Sequence, residues 1–213
     1  MEPRHTDANA KHTVRLEAFS DAVFAIAITL LVLDLHVPSA TGHESLFRLM
    51  VGDWATYLAF LIGFFTILVC WINHHYMFEC IYRQTGMLLL LNGFKLLVVS
   101  FTPFATSVLA KYLATPQQQT AVNIYAGSFF VMGLSMTSLW CYAYRKGLTK
   151  ASSPEVLKAV TRLYIIASVL SGVILIVSFI NVWICLTLFA VMFAIFVFPD
   201  MTMSRLAKKK AKR

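Results

Sequence analysis

Long apolar runs separated by short polar segments dominate the chain. Residues 54–78 and 163–199 contain no Asp, Glu, Lys or Arg. The hydrocarbon core of a bilayer is about 30 Å thick and is crossed by a helix of about 20 apolar residues, so uncharged runs of this length indicate a membrane protein. The runs lack the two-residue alternation that is typical of membrane β-barrels. The pattern therefore predicts an all-α, polytopic membrane protein.

The apolar runs predict six transmembrane helices within a single domain that spans residues 1–213. The run at 163–199 is too long for one ordinary span, and we therefore expect two helices with a tight turn near Asn181. A basic cytoplasmic tail is predicted at 200–213. The predicted spans are approximately 16–36, 54–77, 86–110, 121–144, 160–179 and 182–199.

The charged residues add an orientation to this picture. Only 13% of the residues are charged, against about 25% in soluble domains. Of the 18 Lys and Arg residues, 15 lie in segments on one side of the predicted membrane. Positive loops are typically cytoplasmic, so both termini are predicted to be cytoplasmic in a multi-pass cell (inner) membrane protein. The net charge of +8 is explained by topology and contact with membrane lipids, and we expect no nucleic-acid partner.

The first predicted span has a set of residues at helical spacing and one carboxylate outside that set. Ala22, Ile26, Thr29 and Leu33 are spaced by four, three and four residues, so they share one helical face. Asp21 lies about 100° away from that face and is predicted to point towards a neighbouring helix. A packing seam with a paired carboxylate at the membrane boundary would produce the same pattern.

The second predicted span ends in a cluster of aromatic and polar residues around Trp71, Asn73, His74 and His75. Adjacent histidines point in different directions on a helix, unlike the i, i+4 pair that binds a metal. We expect no metal site and no cofactor. One of the two histidines is instead predicted to form a hydrogen bond with Asp21 or Arg15.

The third predicted span contains a charged residue, Lys95, and a proline, Pro103, which is expected to kink the helix. Lys95 could reach the interface, pair with a carboxylate or line water, and the sequence does not decide among these roles. Phosphate-binding loops and catalytic triads are not found, so the chain is not expected to be an enzyme. The TVGYG filter of ordinary potassium channels is also missing.

Motifs in the first three spans resemble those of the transmembrane protein 175 family, the potassium channels of endolysosomes and prokaryotes. The stretch from Arg15 to Asp21 matches the RxxxFSD signature of the first helix. Further matches occur near the end of the second helix and within the third. The matching residues are Arg15, Phe19, Ser20, Asp21, Trp71, His74, Asn92, Pro103, Phe104 and Thr106.

The resemblance implies a single-repeat, prokaryotic-type subunit that forms a homotetramer, with the pore lined by the first helix. Ile26 would form the constriction, Thr29 the next layer and Leu33 a further narrowing, on the face that also carries Ala22. A polar network would hold this helix against the next two. The residues assigned to it are Arg15, Phe19, Ser20, Asp21, Trp71, Asn73 and His74.

The expected function is therefore that of a potassium-permeable cation channel with a hydrophobic constriction in place of a carbonyl filter. Potassium ions are the expected permeant species. A proton channel is an alternative, as is a proton-coupled secondary transporter that uses Asp21 and His74. A membrane scaffold without transport, in which the polar network serves packing alone, is a third.

Overall fold

The structure is a computed structural model that describes residues 5–37, 45–150 and 154–196. Every regular element in these ranges is helical, which confirms the predicted all-α class. A 3-10 helix, Leu31–Asp34, follows α1 directly. The α-helices are α1 (His5–Leu30), α2 (Leu46–Gly52), α3 (Trp54–Glu79), α4 (Gly86–Tyr112), α5 (Gln118–Arg145), α6 (Pro154–Ser178) and α7 (Val182–Phe196).

Within the described ranges, five segments are long and apolar enough to cross a membrane, namely Val14–Asp34 and the helices α3, α4, α5 and α6. The sixth apolar helix, α7, has 15 residues and is therefore only about 22 Å long, less than the ~30 Å hydrocarbon core. The predicted sixth span extended to residue 199. Its last three residues and the predicted tail at 200–213 lie outside the described residues.

A tight turn at residues 179–181 separates α6 from α7, at the position predicted from the sequence. The side-chain oxygen of Asn181 accepts a hydrogen bond of 3.0 Å from the backbone nitrogen of Ile184. This contact satisfies one of the free N–H groups at the start of α7. Asn181 therefore allows the uncharged run to reverse direction without leaving a helix end uncapped.

The loop between the first two predicted spans contains a short helix, α2, that the apolar pattern did not predict. Ser45 precedes it, and its hydroxyl accepts a 3.4 Å hydrogen bond from the backbone nitrogen of Arg48. Seven residues are too few for a clear helical period. The difference from the sequence-based expectation therefore reflects the shortness of the element.

Most of the packing is between helices that follow one another in sequence, such as α4 with α5 and α5 with α6. In addition, α1 contacts both α3 and α4, and α7 packs against α3 as well as α6. Gly63 of α3 lies against Thr106 of α4. A Cβ atom at this position would lie 2.6 Å from Oγ1 of Thr106 and 3.2 Å from Cδ2 of Leu31. The missing side chain therefore brings α3, α4 and the end of the first span together.

Candidate functional site

One face of the first span has no packing partner among the residues that the structure describes. Ile26 is 60% exposed and Leu33 is 68% exposed, whereas Phe24, on the opposite side, is 2% exposed. Ala22 and Thr29 are exposed on the same side as Ile26. We call Ala22, Ile26, Thr29 and Leu33 the exposed stripe.

Thr29 is the only residue of the exposed stripe with a hydroxyl group. This hydroxyl donates to backbone carbonyl oxygens of the preceding turn, 2.9 Å to Ile26 and 3.0 Å to Ala25. Because the hydrogen is directed at the helix, the oxygen lone pairs of Thr29 stay available as acceptors. The stripe therefore combines large apolar groups with one exposed hydroxyl oxygen.

Leu33 lies beyond the end of α1, in the 3-10 helix, although the sequence pattern predicted one uninterrupted helix through residue 36. A 3-10 helix turns more tightly than an α-helix, so the angular position of Leu33 relative to Thr29 differs from the predicted one. The side chain is nevertheless exposed. Leu33 therefore belongs to the exposed stripe because its side chain is exposed, although an ideal α-helical period does not determine its position.

The carboxylate of Asp21 points from α1 towards α3. Its Oδ1 accepts a hydrogen bond of 2.9 Å from Nε1 of Trp71. The predicted hydrogen bond from a histidine to Asp21 or Arg15 was wrong. His75 instead pairs with Glu79, at 3.5 Å, and the ring nitrogens of His74 have no hydrogen-bond partner among the described residues.

A second polar contact joins α1 to α4. Ser20 is fully buried, and its hydroxyl donates to the carbonyl oxygen of Leu16 at 2.8 Å. The same hydroxyl oxygen accepts a 3.0 Å hydrogen bond from Nδ2 of Asn92. The motif residues Ser20 and Asp21 therefore fix α1 to two different helices.

Aromatic packing completes the junction of the three helices. The His74 ring is buried 5.4 Å from the ring of Phe24 and 4.4 Å from that of Phe78, measured between centroids. Nζ of Lys95 lies over the ring of Phe24, 4.6 Å from its centroid. Lys95 is fully buried, which rules out an interfacial position for its amine within the subunit.

Three residues assigned to the polar network lie elsewhere. The amide nitrogen of Asn73 donates to the carbonyl oxygens of Val69 and Phe196, at 2.8 and 3.2 Å. Asn73 therefore caps the end of α7, and these hydrogen bonds do not involve α1. Phe19 is exposed. Arg15 is also exposed, and it makes no hydrogen bond or ion pair with any residue that the structure describes.

Neither the buried Lys95 nor the cap made by Asn73 was found from the sequence. A lysine within an apolar run was visible, but its burial depends on which helices surround it. The described ranges also contain no group of three His, Cys, Asp or Glu residues that could hold a metal ion.

The fold and this junction define a class, namely a polytopic α-helical membrane protein. Its first span is bonded to α3 and α4 on one side and exposed on the other. The family model described as "Endosomal/lysosomal potassium channel TMEM175" matches residues 15–103, which contain the exposed stripe and the contacts behind it. A potassium channel of Chamaesiphon minutus is 43% identical over 176 residues, which are 80% of this chain and 86% of that protein. The chain belongs to the TMEM175 family.

A solved structure and a more distant relative extend the comparison. The crystal structure of a lysosomal potassium-selective channel TMEM175 homolog from Chamaesiphon minutus superposes with a TM-score of 0.76 at 37% identity, covering 92% of this chain and 98% of that one. The endosomal/lysosomal proton channel TMEM175 of Bos taurus is 31% identical over 138 residues, which are 61% of this chain and 29% of that protein.

Proposed function

We propose that this protein is a potassium-permeable cation channel of the cell membrane. The observation that carries the proposal is the exposed stripe on the first span, in a chain whose relative of 43% identity is named a potassium channel. In the proposed assembly, four copies with six transmembrane helices each surround a pore lined by α1. Both termini are cytoplasmic, and the channel needs no cofactor beyond the permeant ion.

An assembly of identical subunits accounts for the bare face of α1. Closed symmetric oligomers place the same surface of every subunit around one axis. Four copies of Ile26 would then form an apolar ring, and four copies of Leu33 a second ring. Phe19 precedes Ala22 by three residues and Ile26 by seven, so it continues the same face and would lie at the same end of the pore as Ala22.

A ring of isoleucines can act as both a barrier and a filter. Narrow hydrophobic constrictions close by losing water, and an ion that crosses them must give up part of its hydration shell. Potassium holds that shell less tightly than sodium and would cross at a lower energetic cost. The acceptor lone pairs of Thr29 would offer replacement oxygen ligands next to the ring.

The buried contacts behind α1 would keep the constriction in place. Asp21 and Ser20 are bonded to α3 and α4, respectively, and His74 packs against Phe24. These contacts matter because a small displacement of the Ile26 side chains would change the pore radius. In this proposal Asn73 contributes indirectly, by attaching the end of α7 to α3.

Proton permeation is the second candidate function, and one observation favours it: the relative from Bos taurus is named a proton channel. A proton-coupled transporter, with Asp21 and His74 as its polar groups, would in addition require a substrate site. Asp21 is exposed and held by a single neutral donor, Trp71, and it therefore remains accessible to water in both schemes.

Ion flux from proteoliposomes separates these functions. Vesicles that contain purified protein and potassium chloride would be diluted into sodium or choline chloride, with the internal pH monitored and the pH gradient collapsed by buffer. A channel releases potassium without any pH gradient when a counter-ion path is supplied. Potassium release that strictly required a proton gradient and saturated with concentration would contradict the channel proposal and support the transporter.

A further inference from the structure

Lys95 is the one ionisable side chain in α4 that is completely buried within the described bundle. It lies at the junction of α1, α3 and α4, three residues after Asn92, which is bonded to Ser20. Ionisable residues within membrane spans are costly and are usually retained for a function. The channel mechanism described above assigns no role to Lys95.

The amine of Lys95 has an aromatic ring as its nearest specific contact. Nζ lies 4.6 Å from the centroid of the Phe24 ring, and it has no hydrogen-bond partner among the described residues. No carboxylate in the described ranges comes within salt-bridge distance of it. The carboxylate of Asp21 is engaged elsewhere, since its Oδ1 accepts a hydrogen bond from Trp71.

Phe24 connects this amine to the exposed stripe. Phe24 and Ile26 are two positions apart on α1 and thus about 200° apart around the helix axis. Their burial reflects this, because Phe24 is enclosed by α3 and α4 while Ile26 faces away from the subunit. A rotation of α1 that moved Phe24 off Lys95 would therefore turn Ile26 about the helix axis and away from the proposed pore.

We propose that Lys95 is a positioning residue that holds the exposed stripe of α1 towards the pore through the contact of its ammonium group with the ring of Phe24. The inference deepens the proposed channel function and rests on it. The ring face carries partial negative charge, and its attraction for a cation strengthens when water is excluded. The orientation of α1 is then favoured by a contact that packing alone would not supply.

Charge and packing can be separated by substitution. Methionine is an unbranched, flexible side chain that fills similar space without a charge, so Lys95→Met keeps most of the packing and removes the cation. Lys95→Arg keeps the charge and can still lie on the ring. Phe24→Leu removes the ring, and Phe24→Tyr keeps it.

The test is the potassium-to-sodium permeability ratio, measured in planar bilayers with purified wild type, the four single variants and the Lys95→Met/Phe24→Leu double variant. We expect a decrease of about threefold or more in Lys95→Met and Phe24→Leu, and values nearer to wild type in Lys95→Arg and Phe24→Tyr. The double variant should be no worse than either single variant, since both remove the same contact.

Several outcomes would overturn the inference. One is an assembled Lys95→Met variant with the wild-type ratio; another is a double variant whose effect is the sum of the two single effects. If Lys95→Met does not assemble, Phe24→Leu and Phe24→Tyr decide, and equal ratios in these two would overturn it. A wild-type protein without potassium current would contradict the proposed function itself, whereas a wild-type permeability ratio in a conducting Lys95→Met channel contradicts only the role of Lys95.

Discussion

Nε1 of Trp71 donates a hydrogen bond of 2.9 Å to Oδ1 of Asp21, and this contact joins α3 to the first span. The two residues are separated by 50 positions in the chain, and each belongs to a motif of the family. Asp21 directly precedes Ala22, the first residue of the exposed stripe. The contact thus fixes one end of the helix segment that we propose lines the pore.

Trp71→Phe is predicted to reduce the stability of the protein by about 1 kcal/mol, since a hydrogen bond to a partly solvated carboxylate is lost while the ring is retained. Denaturation by sodium dodecyl sulfate in mixed micelles, followed by circular dichroism, measures the effect. Trp183→Phe is the control, because Trp183 stacks on Trp54 and has no side-chain hydrogen bond among the described residues. Equal effects of the two substitutions would contradict a specific role for the bond.

Ser20→Ala tests the buried contact between α1 and α4. Hydrogen bonds between membrane helices contribute about 0.6 kcal/mol on average and up to about 1.7 kcal/mol, and we expect a loss in this range. A double-mutant cycle with Asn92→Leu should show coupling, because each substitution removes the same 3.0 Å bond. Strict additivity would mean that the bond contributes nothing to stability.

Gly63→Ala is predicted to destabilise the subunit by about 1–3 kcal/mol, as expected for overpacking. The new Cβ would lie 2.6 and 2.8 Å from the side-chain atoms Oγ1 and Cγ2 of Thr106. Thr106 cannot move away easily, because it is β-branched and its hydroxyl donates to the carbonyl oxygen of Thr102.

Gly127→Ala is the matched control for this substitution, since Gly127 is also in a helix interior but has open space around its Cβ position. Alanine should stabilise α5 there by about 0.5–1 kcal/mol. The two glycine variants are thus expected to have effects of opposite sign in the same denaturation assay. A stabilising Gly63→Ala would contradict the close approach of α3 and α4.

Ile26→Asn is predicted to raise single-channel conductance and to lower the potassium-to-sodium permeability ratio towards one, because amide groups would hydrate the constriction. Ile176→Asn makes the same chemical change at an equally exposed position, 65% against 60%, on α6, which packs against α5 and α7. This control should leave both quantities unchanged. Unaltered conductance and ratio in an assembled Ile26→Asn channel would exclude Ile26 as the constriction.

The helical class, the five helices long enough to cross a membrane and the turn near Asn181 could be predicted because they depend on local apolar length and charge. The face shared by Ala22, Ile26 and Thr29 could be predicted because it follows from the helical period. The partner of Asp21 could not: Trp71 and the two histidines are close in sequence, and the packing angle of α3 decides which of them reaches the carboxylate. The sequence also could not show that Asn73 faces α7, or that Lys95 is enclosed by three helices.

The most direct test of the account is the reversal potential of the wild-type protein in a planar bilayer, with potassium chloride on one side and sodium chloride at equal concentration on the other. A potassium-selective channel gives single-channel currents with a non-zero reversal potential, and the sign of this potential shows that potassium is more permeant than sodium. We predict a reversal potential that shows a preference for potassium. Currents that reverse at zero or towards sodium, or no current from an intact oligomer, would contradict it.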